Sequence, residues 1–168
     1  MIQDKLGLDS RDMKILSLCI DNPNISQNEI ATKLKMSQPS INMRIKKLKK
    51  KGVLQSYAGI EFNKSGLFLT RVDFTAKNAN NILNALKVCP FFVNGFIMSG
   101  RNNVSVFFVS EDLGKTEEIV NKHLRANEEI SDINVNIVVK SAKDFVFTPS
   151  FVEDKECSKQ CATCKKKT

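Results

Sequence analysis

The sequence predicts an α+β protein in two parts, an all-helical first third and a second part that mixes strands with helices. Three observations predict it. Up to about residue 50 the apolar residues recur at helical spacing, whereas from Leu67 onward they alternate with polar ones or run in short β-rich blocks. Asn63-Lys64-Ser65-Gly66 reads as the break between the two patterns. Charge divides in the same way: residues 1–60 hold 11 Lys+Arg against 5 Asp+Glu, residues 61–150 hold 10 against 10, and residues 151–168 hold 5 against 3. Most of the net charge of +8 therefore sits on the helical part, as a polyanionic partner would require.

A chain of 168 residues can bury a real core, so one or two small domains are expected. No apolar run approaches the ~18 residues of a membrane span, and no cleavable leader is visible, so a soluble, cytoplasmic protein without membrane contact is expected. Residues 1–7 read as a frayed leader or short arm. Asp9 can cap a first helix, with Asp12 favourably placed near its positive end and Ile15, Leu16, Cys19 and Ile20 as its apolar face. Asn22-Pro23-Asn24 stops that helix. Ser26 and Glu29 then make a capping box, and Ile25 staples onto Ile30. A short helix from Gln27 to Leu34 follows, and Lys35-Met36-Ser37 is a turn.

The next stretch, SQPSINMRIKKLKKKG from Ser37 to Gly52, organises the rest. Ser37 is a natural N-cap, Pro39 sits in the first turn where its missing N–H costs nothing, and Gly52 can end the helix in the left-handed region. Ile41, Ile45 and Leu48 fall on one stripe, while Met43, Lys46, Lys47 and Lys50 lie on the far side. One face packs and the other meets an anion. A cation run of this kind is often just a solvated face. The short helix and tight turn before it make a helix-turn-helix instead, whose second helix enters the DNA major groove. Its N-terminal half is expected to face base edges, with Gln38, Ser40, Asn42, Met43 and Lys46 as the candidates and Ser37 beside them as a further DNA contact. Lys47, Lys49, Lys50 and Lys51 suit phosphates, and Arg44, on the flank of the packing stripe, is either a DNA contact or a structural group.

Taken together, Leu8-Asp9, Asp12, Ile15-Leu16, Ser26, Glu29-Ile30-Ala31, Leu34, Ser37, Ile41, Arg44-Ile45, Leu48, Gly52-Val53 and Tyr57 resemble the N-terminal domain of the Lrp/AsnC (feast/famine) transcription regulators. The resemblance covers roughly residues 8–147 and implies a winged helix-turn-helix that binds double-stranded DNA. One departure is Lys35, where the family usually places Gly; a left-handed Lys there costs about 1 kcal/mol or less.

Beyond the break, Phe68, Thr70, Val72 and Phe74 alternate with Leu69, Arg71 and Asp73 as a strand. Ala79 to Val88 has helical spacing and Pro90 closes it. Phe91 to Met98 and Val104 to Val109 are strands joined by a hairpin-like turn at Ser99 to Asn103. Asp112 can cap a second helix running to about Asn127, and Ile133, Val135, Ile137 and Val139 form a last strand. Strand, helix, strand, strand, helix, strand is the ferredoxin-like split βαβ. It is similar to the effector domain of the same family, often called RAM. That resemblance implies a homodimer formed through sheet faces, further assembly to an octamer, and a small-molecule effector near Gly100, Arg101, Asn102 and Asn103. An amino-acid effector held in the usual mode is not expected, because its ammonium would want a carboxylate where these residues offer a cation and neutral amides.

His123 falls on the apolar side of the second helix and reads as a structural histidine, and Cys19 and Cys89 read as structural thiols. No nucleophile elbow, P-loop or dinucleotide fingerprint is present, so an enzyme is not expected. The competing class, also by resemblance, is a sirohaem decarboxylase-like enzyme built on the same two domains. Such an enzyme needs cations in its second domain, but they are concentrated here on the helix-turn-helix. Cys157, Cys161 and Cys164, spaced C-x3-C-x2-C among lysines, differ from ordinary family sequence and are candidate metal ligands. Zinc completed by a fourth ligand, Cu(I), an iron-sulfur cluster or a reversible disulfide all fit three thiolates, as does a basic tail with incidental cysteines. The expected organisation is a DNA-binding domain at 1–54, an extended linker at 55–66, a ferredoxin-like effector and oligomerisation domain at 67–150, and a basic Cys-rich tail at 151–168. The expected function is sequence-specific transcription regulation answering to metal or redox state through the tail.

Overall fold

Helices make the first unit and an antiparallel sheet the second, with the division between Tyr57 and Ala58. The computed structural model describes residues 2–148, so the tail cysteines lie outside the described residues. Among the described residues, no helix is long and apolar enough to cross a membrane.

The first unit contains α1 (Ile2–Leu6), α2 (Ser10–Asp21), α3 (Gln27–Leu34) and α4 (Gln38–Lys50). Helix α1 replaces the frayed leader expected there. Its last carbonyls are taken by the Lys51 ammonium, which donates to Gly7 O at 2.9 Å and Leu6 O at 3.4 Å. Asp9 caps α2 in a full capping box with Asp12, and Ser26 caps α3 in another with Glu29. These reciprocal bonds satisfy amide donors that the helix itself leaves open. Ser37 occupies the N-cap of α4 without a side-chain cap bond, so Pro39 and the extended backbone at Ser37 set that end. At the other end Gly52 has φ +71° and Val53 N–H returns to Leu48 O at 3.1 Å, which closes the helix as a left-handed glycine permits. Leu8, Ile15, Ile30, Ala31, Ile41, Ile45, Leu48 and Leu54 form the core between the helices.

Lys35 adopts φ 52°, ψ 49°, the left-handed conformation expected of the turn. The helix-turn-helix angle depends on this residue, and a side chain there is strained. Lys35→Gly is expected to stabilise the unit by about 0.5–1 kcal/mol and raise its thermal midpoint by a few degrees. A midpoint that stays put or falls would show that the Lys35 side chain contributes as much as its backbone strain costs.

In the second unit, β1 (Ile60–Glu61) pairs with β6 (Val146–Phe147) and α5 (Phe62–Ser65) follows β1. This short sheet was not predicted, and it places residues 60–65 in the folded unit instead of the linker. Gly59 is required beside it, because any Cβ there would strike the Phe147 carbonyl. The main sheet has the order β3 (Phe92–Ile97), β4 (Val104–Ser110), β2 (Phe68–Ala76), β5 (Ile130–Val138), all antiparallel. With α6 (Ala79–Leu86) after β2 and α7 (Leu113–Val120) after β4, this is the ferredoxin-like topology. Helix α6 stops two residues short of the expected Val88. Helix α7 runs into a π-helical turn, Asn121–Arg125, that buries His123 and Leu124. Strand β5 begins three residues earlier than its alternation suggests, past a register shift between Asp73 and Thr75 on β2.

Strand alternation sends Val72, Phe74, Val104, Val106 and Phe108 to the face covered by Ile82, Leu86, Ile119, Val120 and Leu124. Thr116 fixes α7 to the sheet by sharing a 2.6 Å hydroxyl contact with Ser110. On the opposite face Phe62 and Phe147 cover Leu69 and Val109. The rest of that face stays open, with the Arg71–Asp73 ion pair at 2.7 Å and Phe96 edge-on to Phe107.

Candidate nucleic-acid interface

Helix α4 is docked by its apolar stripe. Ile41 and Leu48 are fully buried and Ile45 nearly so, whereas Met43 on the other side is 66% exposed. Lys46, Lys47, Lys49 and Lys50 are exposed, as are Ser37 and Gln38, while Ser40 and Asn42 are half-buried. An exposed methionine beside a row of ammonium groups gives a surface that can touch a base methyl and phosphates at once. The candidate base-reading residues thus occupy the first turns of the helix, and the lysines follow toward its C-terminal end.

The candidates differ in how free they are. Lys46 and Lys50 have no carboxylate within ion-pair reach among the described residues. Lys47 lies 3.9 Å from Asp12 Oδ2, at the limit of an ion pair, and its side chain is still 55% exposed. Gln38 donates from Nε2 to Gln27 Oε1 at 3.0 Å, so its amide is braced by the start of α3. Lys51, read from sequence as a phosphate contact, is spent on the carbonyls of Leu6 and Gly7 at the end of α1.

Arg44 departs most from its expected place in the interface. Its Nη1 donates to Asp9 Oδ2 at 2.7 Å and to Asp12 Oδ1 at 2.6 Å. The Asp12 side chain is 1% exposed, and that of Arg44 is 20% exposed. The Asp9 carboxyl is held below the usual carboxylate range, first by the Asp12 backbone N–H and then by the Arg44 guanidinium. Neither carboxylate was singled out from sequence as a partner of Arg44. Their spacing signals a helix cap, and a pairing across 32 and 35 residues leaves no periodic trace.

The expected effector loop is largely self-occupied. Met98 N–H bonds Asn103 O at 2.8 Å to close the turn. Asn103 Nδ2 and Oδ1 bond Ala76 O and N at 2.9 and 2.8 Å. Asn102 Nδ2 donates to Asp132 O at 2.8 Å. Gly100 and Arg101 remain exposed. Among the described residues, no three His, Cys, Asp or Glu side chains converge as metal ligands, and the three cysteines expected to do so are outside that range.

Residues 8–55 match a family model described as winged helix-turn-helix DNA-binding. Over 148 residues the chain is 26% identical to a leucine-responsive regulatory protein of Rhizobium meliloti, covering 83% of this chain and 94% of that one. It is 23% identical over 141 residues to the HTH-type transcriptional regulator LrpA of Pyrococcus horikoshii, covering 81% of this chain and 99% of that one. Among solved structures it resembles AsnC of E. coli with a TM-score of 0.68 at 16% identity, over 84% of this chain and 99% of the other. The likeness therefore extends through both units.

Proposed function

Because this chain is a DNA-binding transcriptional regulator of the Lrp/AsnC family, we propose that it acts as a homodimer whose two α4 helices read the half-sites of a pseudo-palindromic operator. The observation that carries this reading is the division of α4: Ile41, Ile45 and Leu48 are taken up by the core, leaving Met43, Lys46, Lys47 and Lys50 exposed. Ser40, Asn42, Met43 and Lys46 read bases; Asn42 suits adenine and Met43 a thymine methyl. Lys47 and Lys50 hold the phosphates and set salt dependence, Ser37 adds a neutral backbone contact, and Gln38, expected from sequence at a base edge, joins it at the backbone because its amide is braced by Gln27. Selection of duplexes from random sequence tests the proposal. A pseudo-palindrome with half-sites about one helical turn apart, or a multiple of it, is expected, bound more weakly as salt rises. Absence of duplex binding, or binding indifferent to salt, would overturn it.

The open sheet face suits the dimer. It presents the Arg71–Asp73 pair and the half-exposed Phe96, groups that a second copy can meet by two-fold symmetry. Further assembly to an octamer would then set the spacing of the recognition helices. With Asn102 and Asn103 engaged by their own backbone neighbours, an effector at Gly100–Asn103 meets Arg101 and, beside it, the exposed Asp132, whose Oδ2 lies 3.4 Å from the Thr75 hydroxyl that donates to Arg101 O.

Cys157, Cys161 and Cys164 form the metal- or redox-responsive element of this proposal. Its support is their C-x3-C-x2-C spacing among lysines, which favour the thiolate form. Protein purified without oxygen is expected to carry a thiolate-bound metal or cluster, or to interconvert thiol and disulfide, and replacement of all three by Ser is expected to abolish the response of DNA affinity. Free, metal-empty thiols together with unchanged affinity in the triple variant would remove the sensing role and leave the DNA reading intact.

A further inference from the structure

We propose that Asp9, Asp12 and Arg44 form a positioning clamp that sets the rotation of α4 about its own axis, and with it the set of side chains facing the bases. This rests on α4 being the DNA-reading helix and names what holds that helix in register. An apolar stripe such as Ile41, Ile45 and Leu48 is attractive but non-directional, so it tolerates rotation that a charge-assisted hydrogen bond does not. Arg44 supplies the directional element. One nitrogen, Nη1, meets carboxylates from two residues of the α2 N-terminus at 2.7 and 2.6 Å.

The carboxylates are themselves immobilised. Asp9 accepts the Asp12 N–H at 2.7 Å and Asp12 accepts the Asp9 N–H at 3.5 Å, so the capping box orients both toward α4. Asp12 has almost no contact with solvent, and turning α4 away would leave its charge buried without a partner. At about 100° per residue, Asn42, Met43, Lys46 and Lys50 each lie at least about 100° round the helix from Arg44. Arg44 thus sits on the inner shoulder of α4 and acts on recognition through those residues. Lys47, nearer to Asp12, stays on the outer edge of the clamp and remains available to DNA.

The test uses the full chain, the duplex selected above and a scrambled duplex of equal length, with affinities measured across a salt series and thermal midpoints recorded. D12N and R44M are expected to lower the preference for operator over scrambled duplex by roughly tenfold or more, as misplaced base contacts should. The slope of log affinity against log salt is expected to stay as in the wild type. R44K is expected to recover part of the preference lost in R44M, because a single nitrogen makes both bonds. If D12N does not fold, D9N carries the same expectation, its carboxylate being half exposed. If R44M weakens both duplexes equally and flattens the slope by about 0.9 per protomer, Arg44 is a phosphate contact and the clamp is wrong. If the variants melt earlier but keep the wild-type preference, the cluster serves stability alone, which also overturns the proposal. Failure of the wild type to bind any duplex would strike the DNA reading itself, and the clamp with it.

Discussion

A variant with Lys46, Lys47 and Lys50 all replaced by alanine is expected to keep its fold and lose duplex affinity on the order of a thousand-fold at moderate salt. The three side chains are exposed, and Lys47 makes only a marginal ion pair, so removing them leaves the packed stripe of α4 untouched. Surface changes of this kind usually shift stability by no more than about 0.5 kcal/mol. Each phosphate neutralised contributes about −0.9 to the slope of log affinity against log salt. Lys47 and Lys50, the two lysines set against phosphates on each of two protomers, would then account for a slope of about 3.6, and that much should vanish from the variant. Filter binding or fluorescence anisotropy between low and physiological salt measures both quantities. What binding remains should still prefer the operator, because Ser40, Asn42 and Met43 are retained. A variant that keeps its slope would place the DNA surface elsewhere on the molecule.

Leu48→Ala makes the complementary test, keeping every cation and attacking the fold beneath them. Leu48 is fully buried among Ile15, Ile30, Ile41 and Leu54. Truncating a leucine in such a site costs about 2–5 kcal/mol, from lost transfer energy and the cavity left behind. A unit of this size has a total stability of only about 3–8 kcal/mol at the usual ~0.05–0.15 kcal/mol per residue. The variant is therefore expected to lose most of its margin, with a thermal midpoint lower by more than about 10 °C and DNA binding lost as the unit unfolds. The sheet unit, with its own core around Val72, Phe74, Val106 and Phe108, should retain its β signal by circular dichroism. A melting curve matching the wild type would show that α4 is not held by its apolar face, and the interface assigned to the opposite face would lose its basis.

Much of the fold was legible because its determinants are local. Ser26 and Glu29 announce α3 through bonds spanning three residues, Gly52 ends α4, and the alternation of Phe68 to Phe74 marks β2 together with the face it buries. Lys35 shows the same logic against propensity: the turn needed a left-handed residue, and the chain places an unfavoured one there. The short sheet of β1 and β6 was not legible. Two-residue strands carry no period, and the partners lie far apart in sequence. The π-helical turn holding His123 was missed because the buried Ile119, Val120, His123 and Leu124 keep the four-residue spacing of an α-helix across it.

At the candidate site, sequence alone determined which helix carries the cations and which of its faces is apolar, because 3.6-residue periodicity and charge density are properties of one segment. It left Arg44 and Lys51 among the possible DNA contacts beside Lys46 and Lys50, since a cation's type says nothing of its partner. Only the tertiary structure separated them, by bringing Asp9 and Asp12 to Arg44 and the carbonyls of Leu6 and Gly7 to Lys51. The physical reason is that a charge is committed by whatever lies within about 4 Å of it, and at these positions that neighbour comes from more than thirty residues away.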